Sequence, residues 1–277
     1  MNFNYSGLMS VYREESPLLF NEALQSINNQ VLLPSELIIV QDGPLPQVLE
    51  DLIYRYMKEF KEKGVECIIL KNSVNLGLGK SLSKGLTFCN YEYVARFDSD
   101  DVSDKNRMLW SKCFFEAHPN YDVVGGHISE FTNDIDDYQS KRMVPIGFQS
   151  IKKSSNLRNP LNHMTVTFKK KAVLNAGNYR DMPLFEDYYL WLRMIKNGSE
   201  ISNIDKVLVF AHVNLNTLQR RSGFHYFKKE IQFQRQLYSE KIISLPALMR
   251  NFFLRAVIRL LPLSILRQVY ARLHKEG

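Results

Sequence analysis

The apolar positions of this chain fall into two alternating patterns over its first hundred residues. Short apolar runs, Leu8–Val11, Leu37–Val40, Val65–Leu70 and Tyr93–Phe97, are separated by longer stretches, Leu18–Asn28, Pro46–Lys61 and Gly79–Cys89. The short runs predict buried strands, and the stretches between them, apolar on one side, predict helices. Ser16-Pro17 offers an N-cap with proline at the first helical position. Strands alternating with helices of this length imply a mainly parallel sheet with helices on both faces. In such sheets ligands bind beyond the carboxyl ends of the strands. Val11-Tyr12, Asp42, Asn72 to Lys80 and Asp98 to Asp101 should therefore meet at one cleft.

The second half is less regular. A helix ending near His118-Pro119 is followed by the apolar segment Tyr121–Ile128, which holds two glycines, and residues 132–155 are polar enough to predict a loop or lid. Met164–Phe168 reads as a strand and Lys169–Ala176 as a short helix. Glu186–Lys196 predicts a helix, because Tyr188, Trp191, Leu192 and Ile195 share one face. The pattern fits one mixed α/β domain to about residue 230 and a helical appendage after it.

Composition narrows the class. The chain has 277 residues, 45% of them hydrophobic, which is ample for a core. Cys67, Cys89 and Cys113 form no C-x-x-C pair, so neither a disulfide framework nor a zinc site is expected, and a reducing cytoplasm fits. The N-terminal residues lack the pattern of a signal peptide, and no run of about eighteen uncharged apolar residues predicts a membrane span.

The net charge of +7 is concentrated near the end: between Ile242 and Gly277 stand Arg250, Arg255, Arg259, Arg267, Arg272 and Lys275 against Glu276 alone. In that stretch Leu248/Met249, Phe252/Phe253, Ala256/Val257 and Leu260/Leu261 recur every four residues, with Pro262 as a stop before a second short helix, Ser264 to about Leu273. A basic amphipathic helix suits an anionic membrane surface. The alternative is a helix pair packed on the domain. No nucleic-acid partner is expected, because these arginines lie on an apolar helix rather than among exposed aromatics along a groove.

The chemistry-bearing residues each have two readings. Asp98-Ser99-Asp100-Asp101 follows a strand, where its carboxylates would hold Mg²⁺ or Mn²⁺ together with substrate phosphates. It would equally serve as an Asp-rich turn capping the helix near Asp104. It is not an EF-hand, since the sixth position is Ser103 and the twelfth Leu109. Asn75-Leu76-Gly77-Leu78-Gly79-Lys80-Ser81 opens a helix and could present backbone N–H groups to a phosphate, or be a simple entry turn. It is not a P-loop, because Val74 stands where the first glycine is required. Glu186 and Asp187 complement the dipole of their helix or supply a general base. Arg220-Arg221 would clamp a diphosphate or be solvated, and His163 would touch substrate or be structural.

In combination these stretches resemble family 2 glycosyltransferases of the GT-A fold, in particular bacterial O-antigen and exopolysaccharide enzymes that extend a sugar on undecaprenyl diphosphate. The resemblance rests on Met9–Tyr12, Val40–Gly43, Asn75–Lys80, Ala95–Asp101, Val123–Gly126, Arg158–Thr165 and Phe185–Trp191, and covers roughly residues 5 to 225. Lys105 departs from the proline often found after the acidic cluster.

The resemblance implies a catalytic domain over residues 1–230, with a nucleotide-sugar half to about 130 and an acceptor half from about 131, and a basic membrane-associating tail over 231–277. It implies Asp100 and Asp98 as ligands of Mn²⁺ or Mg²⁺, with Asp101 in support, and Asp42 as acceptor of the uracil N–H. Ser10, Val11, Tyr12, Glu14, Asn75, Gly79, Lys80, Arg96 and Ser99 would line the UDP-sugar pocket. Asp187 would be the base, with Glu186 beside it, and His163, Arg220 and Arg221 would face the acceptor or its diphosphate.

The implied reaction is an inverting transfer of glucose or galactose from UDP to an N-acetylhexosamine on a lipid diphosphate, at the inner face of the plasma membrane. A sugar-phosphate nucleotidyltransferase is the enzymatic alternative. Its glycine-rich loop would follow the first strand, where this chain has Tyr12-Arg13-Glu14-Glu15-Ser16.

Overall fold

The computed structural model describes residues 3–132, 138–213 and 223–260. Its first half follows the sequence pattern: β1 (Tyr5–Val11), α1 (Pro17–Asn28), β2 (Glu36–Gln41), α2 (Gln47–Glu62), β3 (Glu66–Lys71), α3 (Leu78–Phe88) and β4 (Tyr93–Phe97). Ser16 caps α1 by accepting from Leu19 N, and Gly77 enters α3 at φ +88°, a conformation open to glycine. There follow β5 (Val102–Ser103), α4 (Arg107–Ala117), β6 (Tyr121–Phe131), β7 (Tyr138–Arg142), α5 (Phe148–Ser154), β8 (Thr167–Lys169), α6 (Lys170–Asn175), α7 (Glu186–Lys196), β9 (Glu200–His212), α8 (Gly223–Ser239) and α9 (Leu245–Leu260).

Among the described residues the strands form one nine-stranded sheet in the order β3-β2-β1-β4-β8-β6-β9-β5, with β7 on β6. β3, β2, β1 and β4 are parallel, so their carboxyl ends share one edge. β8 is antiparallel to both β4 and β6 and joins the two halves of the sheet. Two cores cover the two faces. Phe20, Leu24, Ile53 and Phe60 from α1 and α2 pack on one, and Leu82 and Leu86 from α3 pack with Leu190, Trp191 and Met194 from α7 on the other. Gly85 lets α3 lie on the sheet, because a Cβ there would stand 2.5 Å from Leu8 Cδ1.

Three features lie outside the sequence pattern. Residues 132–155 are not simply a loop: they include β7, which extends the sheet, and α5, anchored by the fully buried Ile151. β9, thirteen residues long, escapes periodicity because its middle, Ile204–Val207, leaves the core and breaks the alternation. The domain boundary at 230 falls inside α8, whose Tyr226, Phe233 and Leu237 pack on Phe185, Tyr188, Tyr189 and Leu192 at α7, with Phe233 stacked on Phe185 at 4.8 Å.

The tail helix is likewise docked. Asn251 of α9 is buried and donates to Asn156 O and Gln234 Oε1. Arg255, expected on a solvent-facing basic side, pairs at 3.0 Å with the buried Glu230. The opposite side of α9 is open, with Leu245, Met249 and Phe253 about half exposed. The proposed second helix after Pro262 lies outside the described residues.

Candidate active site

The acidic stretch Asp98–Asp101 lies in the turn between β4 and β5 and caps no helix; Asn106 occupies the N-cap of α4. Asp98, Asp100 and Asp101 each place an oxygen within 4.8 Å of the others. The turn is held from three sides. Asp101 Oδ1 accepts from His212 N at the end of β9 at 2.9 Å. Ser99 Oγ donates to Glu15 Oε2 at 2.5 Å. Beneath it, the fully buried Arg107 donates to Arg96 O at 2.5 Å and to Ser103 Oγ at 3.0 Å, and stacks on Phe97.

Burial and the neighbouring charges of Asp98 and Glu15 push the pKa of Asp100 up to about 7. Burial, with Asp100 and Asp98 alongside, also raises Asp101 well above the usual carboxylate range. Glu15 is raised too, first by burial. The nearest cation is the buried guanidinium of Arg96, paired with Asp98. Crowded oxygen donors with too little positive charge fit a hard divalent cation.

The loop before α3 is built around Asp42, directly after β2. This carboxylate, only 4% exposed, accepts from Leu76 N at 2.7 Å, Gly77 N at 2.9 Å and Asn72 Nδ2 at 3.1 Å. The amides read as phosphate donors at Leu76 and Gly77 therefore bind Asp42, and Asp42 shapes the loop before α3. Gly43 is required beside it, because φ is +91° and a Cβ would stand 2.9 Å from Asn75 N.

Ser10, Val11 and Tyr12 lie at the end of β1 as expected. Of the two glutamates that follow, Glu14 is exposed and Glu15 turns to the acidic loop. Lys80 is exposed and bridges to Asp181 at 3.1 Å.

α7 delivers the other carboxylates. Gly79 packs on Glu186, which brings the N-terminal turns of α3 and α7 together. Burial, then the charge of Asp187, pushes the pKa of Glu186 up to about 7, and its Oε2 is buried without a hydrogen-bond partner among the described residues. Asp187 Oδ2 accepts from Asn159 Nδ2 at 2.7 Å.

Tyr179 lies where the two carboxylate groups approach each other: its hydroxyl is fully buried and feels Arg96, Asp187, Glu186 and Asp98. His163 meets that hydroxyl through Nε2 at 2.9 Å, and burial, with Arg96 nearby, pushes its pKa well below the ordinary value. It is therefore a neutral ring tied into the floor of the site. Arg220 and Arg221 lie outside the described residues.

Sequence reading missed Glu15, Arg107, Asn159 and Tyr179, which hold the other groups in place. Asn159 and Glu15 stand inside or beside motifs already singled out, whereas Arg107 and Tyr179 carry no local signal.

Known proteins share the sequence and the fold of this chain. The chain is 34% identical over 270 residues to the UDP-Gal:α-D-GlcNAc-diphosphoundecaprenol β-1,3-galactosyltransferase of Escherichia coli, covering 97% of this chain and 95% of that one. It is 30% identical over 270 residues to the amylovoran biosynthesis glycosyltransferase AmsE of Erwinia amylovora, covering 97% and 98%. Among solved structures, Staphylococcus aureus TarS 1–349 in complex with UDP-GlcNAc superposes with a TM-score of 0.67 at 17% identity, covering 91% of this chain and 72% of that one. The mannosyltransferase PcManGT of Pyrobaculum calidifontis, in complex with GDP-Man and Mn²⁺, gives 0.61 at 14% identity, covering 91% and 69%. These likenesses show the GT-A fold. Residues 6–177, from β1 through the acidic turn to α6, match glycosyl transferase family 2, and with the full-length relatives they establish that the chain belongs to that family.

Proposed function

We propose that this glycosyltransferase moves a hexose, glucose or galactose, from a UDP-sugar to an N-acetylhexosamine on a lipid diphosphate, with inversion at the anomeric carbon. The observation that carries this reading is the approach of two carboxylate groups of different kind around Arg96 and Tyr179. One is a crowded oxygen cluster after β4, and the other is a helix-borne pair at α7. The relative acting on diphosphoundecaprenol-linked GlcNAc supports the choice of donor and acceptor.

Asp98 and Asp100 would hold Mn²⁺ or Mg²⁺, with Asp101 behind them. When bound, the cation neutralises charge on the departing diphosphate. Ser10, Val11, Tyr12 and the loop Asn75–Gly79, set by Asp42, form the nucleotide pocket. Lys80 leaves Asp181 to meet the phosphates. Asp187, fixed on a rigid helix, takes the proton of the acceptor hydroxyl as that oxygen attacks the anomeric carbon in line. Glu186, its pKa raised to about 7, is largely protonated below neutrality, which leaves Asp187 as the stronger candidate base. Arg220 and Arg221 are assigned to the acceptor diphosphate.

The chain works at the inner membrane surface, where its acceptor resides. The open side of α9, Leu245, Met249 and Phe253, supports this, and among the described residues no helix is long and apolar enough to cross a membrane. A panel of UDP-sugars against synthetic GlcNAc- and GalNAc-diphosphate-lipids, with Mn²⁺ or with chelator, tests the reading. Transfer from one UDP-hexose that stops on chelation is expected. Transfer from GDP- or dTDP-sugars only, or full activity in chelator, would overturn the donor or the metal assignment.

A further inference from the structure

We infer that Asn159 is a positioning residue for the base: its side-chain amide fixes the rotamer of Asp187 and holds its carboxylate ionised. The inference rests on the proposed role of Asp187 and extends it to a residue on a different element.

The geometry determines which way the amide points. Asn159 Oδ1 accepts from Leu161 N at 3.3 Å in a turn closed within the segment, which leaves Nδ2 to donate to Asp187 Oδ2 at 2.7 Å. A flipped amide would set an oxygen against a carboxylate and a donor against an N–H, losing both bonds. The short contact is that of a charge-assisted bond, which favours the ionised carboxylate.

The turn itself is rigid. Pro160 and the fully buried Leu161 follow Asn159, and Asn203 Nδ2 of β9 donates to Pro160 O at 3.1 Å and to Pro145 O at 2.7 Å. The partner of the base is thus carried by a clamped segment between α5 and β8, not by a free loop.

Among the described residues, the titratable groups that feel Asp187 include Glu186 and Tyr188 on α7 and Tyr179 before it; Arg96 on β4 acts on Glu186 and Tyr179, and Arg255 and Glu230 act on Tyr188. Glu186 is the close carboxyl neighbour and becomes a like charge only as it ionises near 7. Asn159 donates to Asp187 from a different element, independently of that ionisation.

Two variants separate positioning from a purely structural turn. Asn159→Asp keeps an oxygen to accept from Leu161 N, so the turn survives, but it places a carboxylate against Asp187. Asn159→Ala removes both bonds. In a transfer assay with saturating donor, both variants should lose about a hundred-fold in kcat. The KM for donor and the UDP affinity should stay near wild type, and the acid limb of kcat/KM should move to higher pH, further for Asp than for Ala.

If Asn159→Asp keeps wild-type kcat and an unmoved acid limb, Asn159 serves the turn alone and the inference fails. Asp187→Asn, run in parallel, separates the two claims. An inactive Asp187→Asn beside a fully active Asn159→Asp overturns the positioning role alone, whereas an active Asp187→Asn overturns the base assignment beneath it.

Discussion

A Cβ on Gly79 would stand 3.2 Å from Cβ of Glu186, so the first turn of α3 and the first turn of α7 meet at a contact that has room for hydrogen only. The loop before α3 and the N-terminal turn of α7, proposed as nucleotide loop and carrier of the base, are thereby fixed to each other. Gly79→Ala gains roughly 0.5–1 kcal/mol from helix propensity, which offsets the strain of shifting α3 by a few tenths of an ångström. Stability should therefore stay close to wild type while kcat/KM falls by about tenfold, because a small misplacement acts directly on the reacting groups. Thermal melts and donor kinetics on the same preparation check this.

Glu186 makes stability depend on pH in a defined direction. Its pKa is raised from 4.5 to about 7 by burial first and Asp187 second, so between these values the folded state holds a proton that the unfolded state has released. Stability is then lost as pH rises through that window and levels off above it. Glu186→Gln, which stays neutral, should match wild type near pH 4.5 and exceed it by on the order of 3 kcal/mol at pH 8. Denaturation midpoints across that range measure it, and a difference independent of pH would contradict the raised pKa.

The acidic turn should bind its cation through Asp100. Asp100→Asn removes a charge from a cluster short of positive partners, so apo stability should hold or rise. Mn²⁺-dependent UDP binding should weaken by at least tenfold. Calorimetry of UDP with and without Mn²⁺ distinguishes the two effects.

At α9 the structure separates docking from exposure. Truncation at Leu245 would remove Asn251 and Arg255 from buried partners and destabilise the domain, so it tests membrane association poorly. Met249→Ser with Phe253→Ser alters only the open side and should leave the melting temperature within a few degrees of wild type. Flotation with anionic vesicles should fall several-fold; unchanged flotation would remove this face from the account.

The parallel half of the fold was legible because each strand is a continuous apolar run bounded by turn chemistry, and each helix has one apolar side. Glu186–Lys196 was legible to the residue for the same reason. β9 and β7 were not, since β9 pairs with β6 in three shifted registers and β7 is a polar strand with no apolar alternation. At the site, Asp98, Asp100 and Asp187 could be named from position at strand and helix ends. Their supports could not: Arg107 reaches Arg96 O from α4, and Tyr179 meets His163, through contacts that only the folded chain creates. Asp42 shows the converse, a carboxylate legible from its place after β2 whose oxygens turn to Leu76 and Gly77.

The central claim is that Asp187 removes the acceptor proton while the acidic turn holds the donor. The direct measurement is single-turnover transfer by wild type and Asp187→Asn, with the UDP affinity of each determined alongside. The account predicts a rate lowered by about a thousand-fold or more with UDP affinity within about twofold. Turnover near that of wild type, or a loss of UDP binding equal to the loss of rate, would contradict it.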